Sequence, residues 1–357
     1  MNIDIIAGHE LSPELEQQWR AVQARNTELA SPYFCPEFTQ AVAATRADVF
    51  VAVLRDRQAI IGFFPFQRSR RGVGRPVGGP INDCQGVIIE REVEWPVEQL
   101  MRACGLDIWD FDHLLATQGP FAPYHQGHSE SPIMDLSAGF EDYAHARRQA
   151  GSKQIQKVGT LSRKLEREVG ELRAEIECTD DAAFDRLLNW KSAQYRESGL
   201  VDVTAQDWIR ATLNRIRATR SSSFAGLLSV LWAGPNMIAA HMGMRSESVW
   251  HYWFPAYDAA YARYSPGLIL LLEMARRAED VGPRIIDLGK GEALYKERLA
   301  NGAVPLAEGS VQLASLNRRL RQFGNSAEAW IRHSPIAPLL RAPGRMIKTA
   351  ARRAGYR

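Results

Sequence analysis

Cysteine is scarce and dispersed. Cys35, Cys84, Cys104 and Cys178 are the four thiols in 357 residues, and no two form a CxxC pair. That usage argues against a disulfide framework and a cysteine-based zinc site, and is what a reducing cytoplasm leads one to expect. Long apolar runs are missing too: none approaches the ~20 residues of a membrane span. The most apolar segment, residues 224–244, is broken by Gly234-Pro235-Asn236. Met1-Asn2-Ile3-Asp4 supplies neither the basic nor the apolar region of a signal peptide, so none is expected. The glycine-rich stretch 68–80 has neither G-x-G-x-x-G nor G-x-x-x-x-G-K-[ST] spacing, and reads as a flexible loop, not a phosphate cradle. His113, His125 and His128 have no carboxylate or thiol partner at ligand spacing. Residues 119–132 therefore read as a surface connection, and no metal is expected.

What is present is globular. Hydrophobic residues make up 45% and charged residues 24%, and the length suffices for two domains with real cores. The net charge of +3 is uneven: residues 318–357 hold ten Lys/Arg against the single Glu328, a net of +9, which leaves −6 on the rest. Such a tail suits an anionic membrane surface, a nucleic acid or an acidic partner, and equally a solvated end.

Helices are expected over residues 12–25, 93–104, 140–150, 153–169, 180–197 and 206–219, and strands over 49–54, 59–66, 106–111, 171–178, 224–233, 237–245, 249–254, 284–288 and 303–315. Tyr264-Ser265-Pro266-Gly267-Leu268 reads as a loop turning into a helix. Ser265 is expected to cap it through its hydroxyl, Pro266 to take the first helical position, and Gly267 to leave the helix start open to an anion.

The two halves repeat at an offset of 177 residues: Val53-Leu54 matches Val230-Leu231, Ile61 matches Ile238, and Ile108-Trp109-Asp110-Phe111 matches Ile285-Ile286-Asp287-Leu288. Two α/β (α+β) units in tandem follow, residues 1–135 and 136–317, with the basic tail at 318–357. Ile88-Ile89-Glu90 stands where the second half has Ser265-Pro266-Gly267, so only the second half is expected to bind an anion at a helix start.

Trp253-Phe254-Pro255-Ala256-Tyr257-Asp258, Tyr264-Ser265-Pro266-Gly267, the run 286–292 with Tyr295-Lys296, and the run 78–86 (Gly-Gly-Pro-Ile-Asn-Asp-Cys-Gln-Gly) resemble the GNAT-like acetyltransferase family of CelD-type polysaccharide (cellulose) biosynthesis proteins, related to the FemAB peptidyltransferases. The resemblance covers residues 45–315. It implies tandem GNAT-like units, each a mixed, mostly antiparallel sheet flanked by helices. The first unit would be scaffold or one wall of a substrate cleft. The second would transfer an acyl group from acetyl-CoA or another acyl-CoA to an amine or hydroxyl of a small-molecule or saccharide acceptor.

On that resemblance, Tyr264, Ser265, Pro266, Gly267 and Leu268 would hold the pyrophosphate, although residues 263–268 lack the second glycine of the usual GNAT signature. The strands 249–254 and 284–288 would lie parallel, with the acyl arm between them. Asp287 and His241 are the candidate bases and Tyr295 the candidate acid. Ordinary alternatives are a core histidine and a turn-capping aspartate. Lys191 and Tyr195, four apart on one helix face, and Trp253, Tyr257, Asp258, Lys290 and Lys296 are the candidate acceptor contacts. The expected setting is cytoplasmic, at the inner membrane face or on a synthase complex through the tail. Two alternatives are an aminoacyl-tRNA-dependent FemAB-like transferase and a non-catalytic GNAT-derived subunit.

Overall fold

The computed structural model describes residues 1–91 and 93–313, and the basic tail lies outside the described residues. The first half runs β1 (Asn2–Ala7), α1 (Pro13–Ala24), α2 (Pro36–Ala43), β2 (Val49–Asp56), β3 (Ala59–Arg68), β4 (Val73–Pro76), β5 (Ile88–Ile89), α3 (Val97–Ala103), β6 (Ile108–Leu115) and β7 (His125–Asp135). Helices α4 (Phe140–Gln149) and α5 (Gln154–Val169) lead to the second half. That half is β8 (Leu172–Glu175), α6 (Asp181–Glu197), α7 (Asp207–Ala218), β9 (Ala225–Ala233), β10 (Asn236–Arg245), β11 (Val249–Tyr257), α8 (Pro266–Arg276), β12 (Ile285–Asp287), α9 (Leu294–Leu299) and β13 (Gly302–Gln312). The starts of β3 and β10, of β6 and β12, and of β7 and β13 are each 177 residues apart, the offset of the sequence repeat.

Local chemistry sets several boundaries. Ser12 Oγ accepts from the Leu15 amide with Pro13 at the first position of α1. Asp180 does the same for Ala182 at the start of α6. The β9–β10 turn closes at Gly234, whose φ of +54° a side chain would strain.

All strands belong to one sheet, in the order β1-β2-β3-β4-β6-β13-β7-β12-β11-β10-β9-β8, with β5 on β3. Each half's last strand therefore lies against the other half's row: β13 pairs with β6, and β7 with β12. The exchanged strands pair with each other along Gly302–Gly309. One helical layer, α1, α2, α6 and α7, covers one face of both halves around Trp19, Phe34, Phe38, Phe184, Leu213 and Trp253. Thr45 Oγ1 and Thr212 Oγ1 meet at 2.8 Å across it. The opposite face has two cores, around Leu270, Trp250 and Leu165 in the second half and Phe64, Trp109 and Phe121 in the first. Each such large side chain removed from water stabilises the fold by roughly 1.5–3 kcal/mol.

Three expectations are corrected. The stretch 68–80 is not simply a loop: β4 lies in it, pairing antiparallel with β3 and parallel with β6. The connection expected over 119–132 holds most of the 11-residue strand β7, which runs on to Asp135. Its solvent-facing positions are polar on both sides of the chain, so apolar alternation is absent. Ser265 is no side-chain cap: its backbone is left-handed (φ 54°, ψ 52°) and its hydroxyl makes no capping bond. The 3₁₀ turn Ala259–Tyr264 ends there, and the kink into α8 fixes that conformation.

Candidate active site at the seam of the two halves

β11 and β12 are parallel neighbours, as the crossover rule leads one to expect, but pair only from Val249 with Ile285 to His251 with Asp287. Beyond that point β11 runs on to Tyr257 while the chain after Asp287 turns at Gly289. The strands splay where His251 and Asp287 stand side by side. On the other side β11 is bulged against β10: the pairing jumps from His251 with Met244 to Phe254 with Met242. Gly243 lies inside this bulge, where a Cβ would sit 2.4 Å from His241 Cε1 and 2.5 Å from the His251 carbonyl oxygen.

His251 is fully buried and bridges two carboxylates from different halves. Its Nε2 is 3.0 Å from Asp83 Oδ2, and its Nδ1 is 3.5 Å from Asp287 Oδ2, an ion-pair contact rather than a short hydrogen bond. Burial disfavours the charged ring, but Asp287 and then Asp83 outweigh it and lift the pKa from 6.5 to about 9. Asp287 is buried as well. Burial opposes its ionisation, yet His251, the Ser131 hydroxyl and the Gly289 amide hold its carboxyl below the usual range. Ser131 donates to Asp287 Oδ1, and Gly289 N donates to the same oxygen at 2.9 Å. Asp287 thus caps the turn and orients the histidine at once.

Asp83 is set by its neighbours. Asn82 Nδ2 donates to the Val77 carbonyl at 2.8 Å, and Asn82 Oδ1 accepts from the Cys84 amide at 3.0 Å. Gln85 Oε1 accepts the amides of Asp112 and His113 on β6 at 3.0 and 3.1 Å. With residues 82 and 85 pinned, the partly exposed Asp83 side chain reaches over to the second half. Tyr33 closes the site edge-on to His251, with ring centroids 5.0 Å apart.

Two lysines complete the set. Lys191 on α6 donates from Nζ to the Pro255 carbonyl at 3.1 Å and lies over the Tyr195 ring at 5.2 Å. Burial and then the nearby Lys296 charge lower its pKa from 10.5 to about 8, against the pull of Asp83. Lys296 on α9 donates to the carbonyls of Gly289 and Lys290 at 2.9 and 3.0 Å, and its own pKa is lowered, chiefly by burial.

The structure brings Asp287, Lys191, Tyr195 and Lys296 together and sets other candidates apart. His241 lies under the bulge, its Nε2 accepting the Trp253 amide at 3.0 Å and its ring stacked on Tyr252. Burial and then the His251 charge push its pKa well below 6.5. Trp253 packs in the shared core against Tyr33 and Phe38. Tyr295, its pKa raised by burial to about 12, packs against the second-half core with Leu268. Lys290 reaches across to the Asp112 carbonyl and Glu308. Tyr257 ends β11, and Asp258 after it caps the next turn by accepting from the Ala260 amide at 2.9 Å. At the start of α8, Ser265 O accepts the amides of Leu268 and Ile269, Pro266 has no N–H, and the Gly267 carbonyl accepts from Tyr252 Oη at 3.3 Å. Tyr264 Oη donates to Glu168 on α5 at 2.7 Å.

Sequence reasoning missed His251, Asp83, Ser131 and Tyr33 as site residues. The run 78–86 contained Asp83, and the parallel pairing contained His251 once its register was known. Among the described residues no group of three or more His, Cys, Asp or Glu could hold a metal, and no helix is long and apolar enough to cross a membrane.

Residues 152–297 match the family model described as Acetyltransferase (GNAT) domain. The match takes in Lys191, His251, Asp287 and Lys296, and leaves out Asp83 and Ser131. Among solved structures the chain is similar to FemX, with 9% identity over 90% of this chain and 99% of that one and a TM-score of 0.58. It is also similar to the C-terminal domain (DUF2156) of a putative lysylphosphatidylglycerol synthetase from Agrobacterium fabrum, with 12% identity over 89% and 96% and a TM-score of 0.52. No curated protein matches the chain. The second half matches a GNAT domain, and the repeated order of elements gives the whole the fold of two GNAT-like units in tandem.

Proposed function

We propose that this protein is an acyltransferase that moves an acyl group from acyl-CoA to an amine or hydroxyl of an acceptor held at the seam of the two halves. The observation that carries this reading is the splay of β11 from β12 at His251 and Asp287, with ionisable groups from both halves gathered at its mouth. The thioester arm lies between the splayed strands, and the pyrophosphate lies against the start of α8 at Gly267, with Tyr264, Ser265, Pro266 and Leu268 shaping that turn. The acceptor nucleophile attacks the thioester carbonyl, the C–S bond breaks, and the nucleophile's proton goes to Asp83, which the contact with His251 Nε2 holds in place. Lys191 protonates the departing thiolate. Its pKa of about 8 is close to that of a thiol, which is where proton donation is efficient. Asp287 acts through His251. Tyr195 and Lys296 flank Lys191 in the cleft, and His241 supports the β11 bulge from beneath.

The acceptor class we favour is a saccharide or envelope precursor, in keeping with the CelD-type motifs, with the enzyme in the cytoplasm and its basic tail at an anionic membrane face or a synthase complex. A second reading has one observation in its favour. The exposed face of α5 carries Lys157, Arg163, Lys164 and Arg167 beside the turn into α8, which suits an RNA-borne donor as well as a CoA phosphate. Calorimetric titration of the full chain with acetyl-CoA tests the first reading: saturable binding supports it, and absence of heat at millimolar acetyl-CoA overturns it. Tight, steeply salt-dependent tRNA binding in its place would install the second.

A further inference from the structure

A separate cavity of about 480 Å³ lies at the seam, beside the starts of β11 and β12 and so at the end of these strands opposite the splay. The first half supplies one wall, from α1 to the start of α2, and the second half supplies the other, from the β10–β11 turn and Ile285. Its volume falls in the roughly 300–1,000 Å³ range of small-molecule sites.

The chemistry of the wall points to a ligand. Glu37 lines the cavity with only 8% of its surface exposed. Its Oε1 takes Arg20 at 2.9 Å and the Ser221 hydroxyl at 3.4 Å, whereas its Oε2 is buried with no hydrogen-bond partner. A carboxylate oxygen left in that condition is costly; it is closed to the cavity as the side chain stands, and a ligand's donor satisfies it once the Glu37 side chain turns. Glu247 on the rim adds a second negative charge, and Arg20 is the one cation among the lining residues, so the cavity carries a net charge of −1. Ala24, Leu29, Ala30 and Ile285 make the rest of the wall largely apolar.

We propose that this cavity is a binding site for a small molecule with a primary ammonium head, drawn to the Glu37 carboxylate and the Glu247 charge, and a short apolar body. It is independent of the acyl-transfer site. A ligand there touches both halves and binds only when they are docked, so it stabilises the folded chain by mass action.

The test uses n-hexylammonium chloride at pH 7 on the full chain, with n-hexanol and hexanoate as controls, read by calorimetry and thermal denaturation. Hexylammonium is expected to bind one to one and raise Tm with concentration, hexanol at least tenfold more weakly, and hexanoate not at all. Glu37→Gln is expected to weaken hexylammonium binding at least tenfold. Since that change also disturbs Arg20, Ala24→Trp serves as a second variant: it fills the cavity from the exposed side of α1 and is expected to abolish binding while the free protein keeps its Tm. Lack of saturable binding by the wild type, equal binding of hexanol, or wild-type binding by Ala24→Trp overturns the proposal.

Discussion

The charged state of His251 has a measurable consequence for stability. Its pKa is about 9 in the folded chain and 6.5 when its partners are gone. Below pH 6.5 both states carry the proton, and the stabilisation from Asp83 and Asp287 is fully present. Between 6.5 and 9 the unfolded chain releases the proton and the folded chain keeps it, so stability falls as pH rises. Other groups leave part of that window clean. His241 and His125 have lowered pKa values, so their contributions change below pH 6.5. Lys191, lowered to about 8, works in the opposite sense from pH 8 upward. The buried thiols matter only above about pH 8.5. From pH 6.5 to 8, integrating the one-proton difference gives a loss of about 1.5 kcal/mol. With a urea dependence of about 3 kcal/mol/M, the unfolding midpoint should drop by about 0.5 M. Far-UV circular dichroism along a urea series at pH 6.5, 7.2 and 8 reads it directly. His251→Gln should be less stable overall but flat across the window. A flat wild type, or a slope that survives in His251→Gln, would refute the account of a histidinium held between two carboxylates.

Three further outcomes are expected. The rate of Lys191 modification by an amine-selective reagent, followed by mass spectrometry, should titrate near pH 8, about two units below the exposed lysines, and Lys296→Met should move it only part of the way back because burial is the larger cause; titration with the exposed lysines would remove Lys191 as the proton donor. Gly243→Ala should cost at least about 2 kcal/mol by overpacking, since its Cβ meets His241 and the His251 carbonyl, whereas Gly267→Ala, whose nearest atom is Tyr257 Cδ1 at 3.6 Å, should cost less than about 1 kcal/mol; thermal denaturation ranks the pair. Gly267→Glu should weaken acetyl-CoA binding more than about tenfold through repulsion of the pyrophosphate, while Glu90→Gly, at the matching place in the first half, leaves it unchanged; equal effects in calorimetry would show that the start of α8 is not where the anion lies.

The repeat was readable because its hairpins and its two Asp-bearing strands are nearly continuous apolar runs, and packing on both faces demands that pattern wherever it recurs. β7 was hidden because many of its side chains face solvent and are polar: Gln126, His128 and Glu130 are exposed, and only its partners β12 and β13 make it a strand. β4 was hidden by Gly74 and Arg75, which are poor strand formers placed by tertiary pairing. The capping rule misled at Ser265 because the preceding 3₁₀ turn, not the side chain, sets its backbone. Asp287 was singled out through the family resemblance, while the recurrence of its strand, with Asp110 at the matching place, spoke for a structural role. His251 and Asp83 were not, because their meeting depends on the register of a parallel pair and on a loop 168 residues away, neither of which leaves a local pattern.

The exchanged strands explain why the buried His–Asp cluster forms in one copy of the repeat and not in the other. The exchange is symmetric: Asp287 on β12 faces Ile133 on β7, and Asp110 on β6 faces Ser310 on β13, each partner again 177 residues from its counterpart. The neighbours of the two aspartates differ. Two residues back along β7 stands Ser131, which donates to Asp287; the equivalent place on β13 is Glu308, which turns to Lys290. On the far side, Val73 and Gly74 of β4 pair with Ile108 and Trp109, so Arg75 comes next to Asp110 as His251 comes next to Asp287. Both copies place a cation beside the aspartate. A guanidinium keeps its proton in a folded protein, so Arg75 cannot exchange one with Asp110. An imidazole can release its proton, and Asp83 from the first half then gives that imidazole a second carboxylate at the mouth of the splay. The duplication supplied the same strand frame twice, and a histidine at one position, a serine on the exchanged strand and a loop from the sister unit give the second copy a buried histidine between two carboxylates.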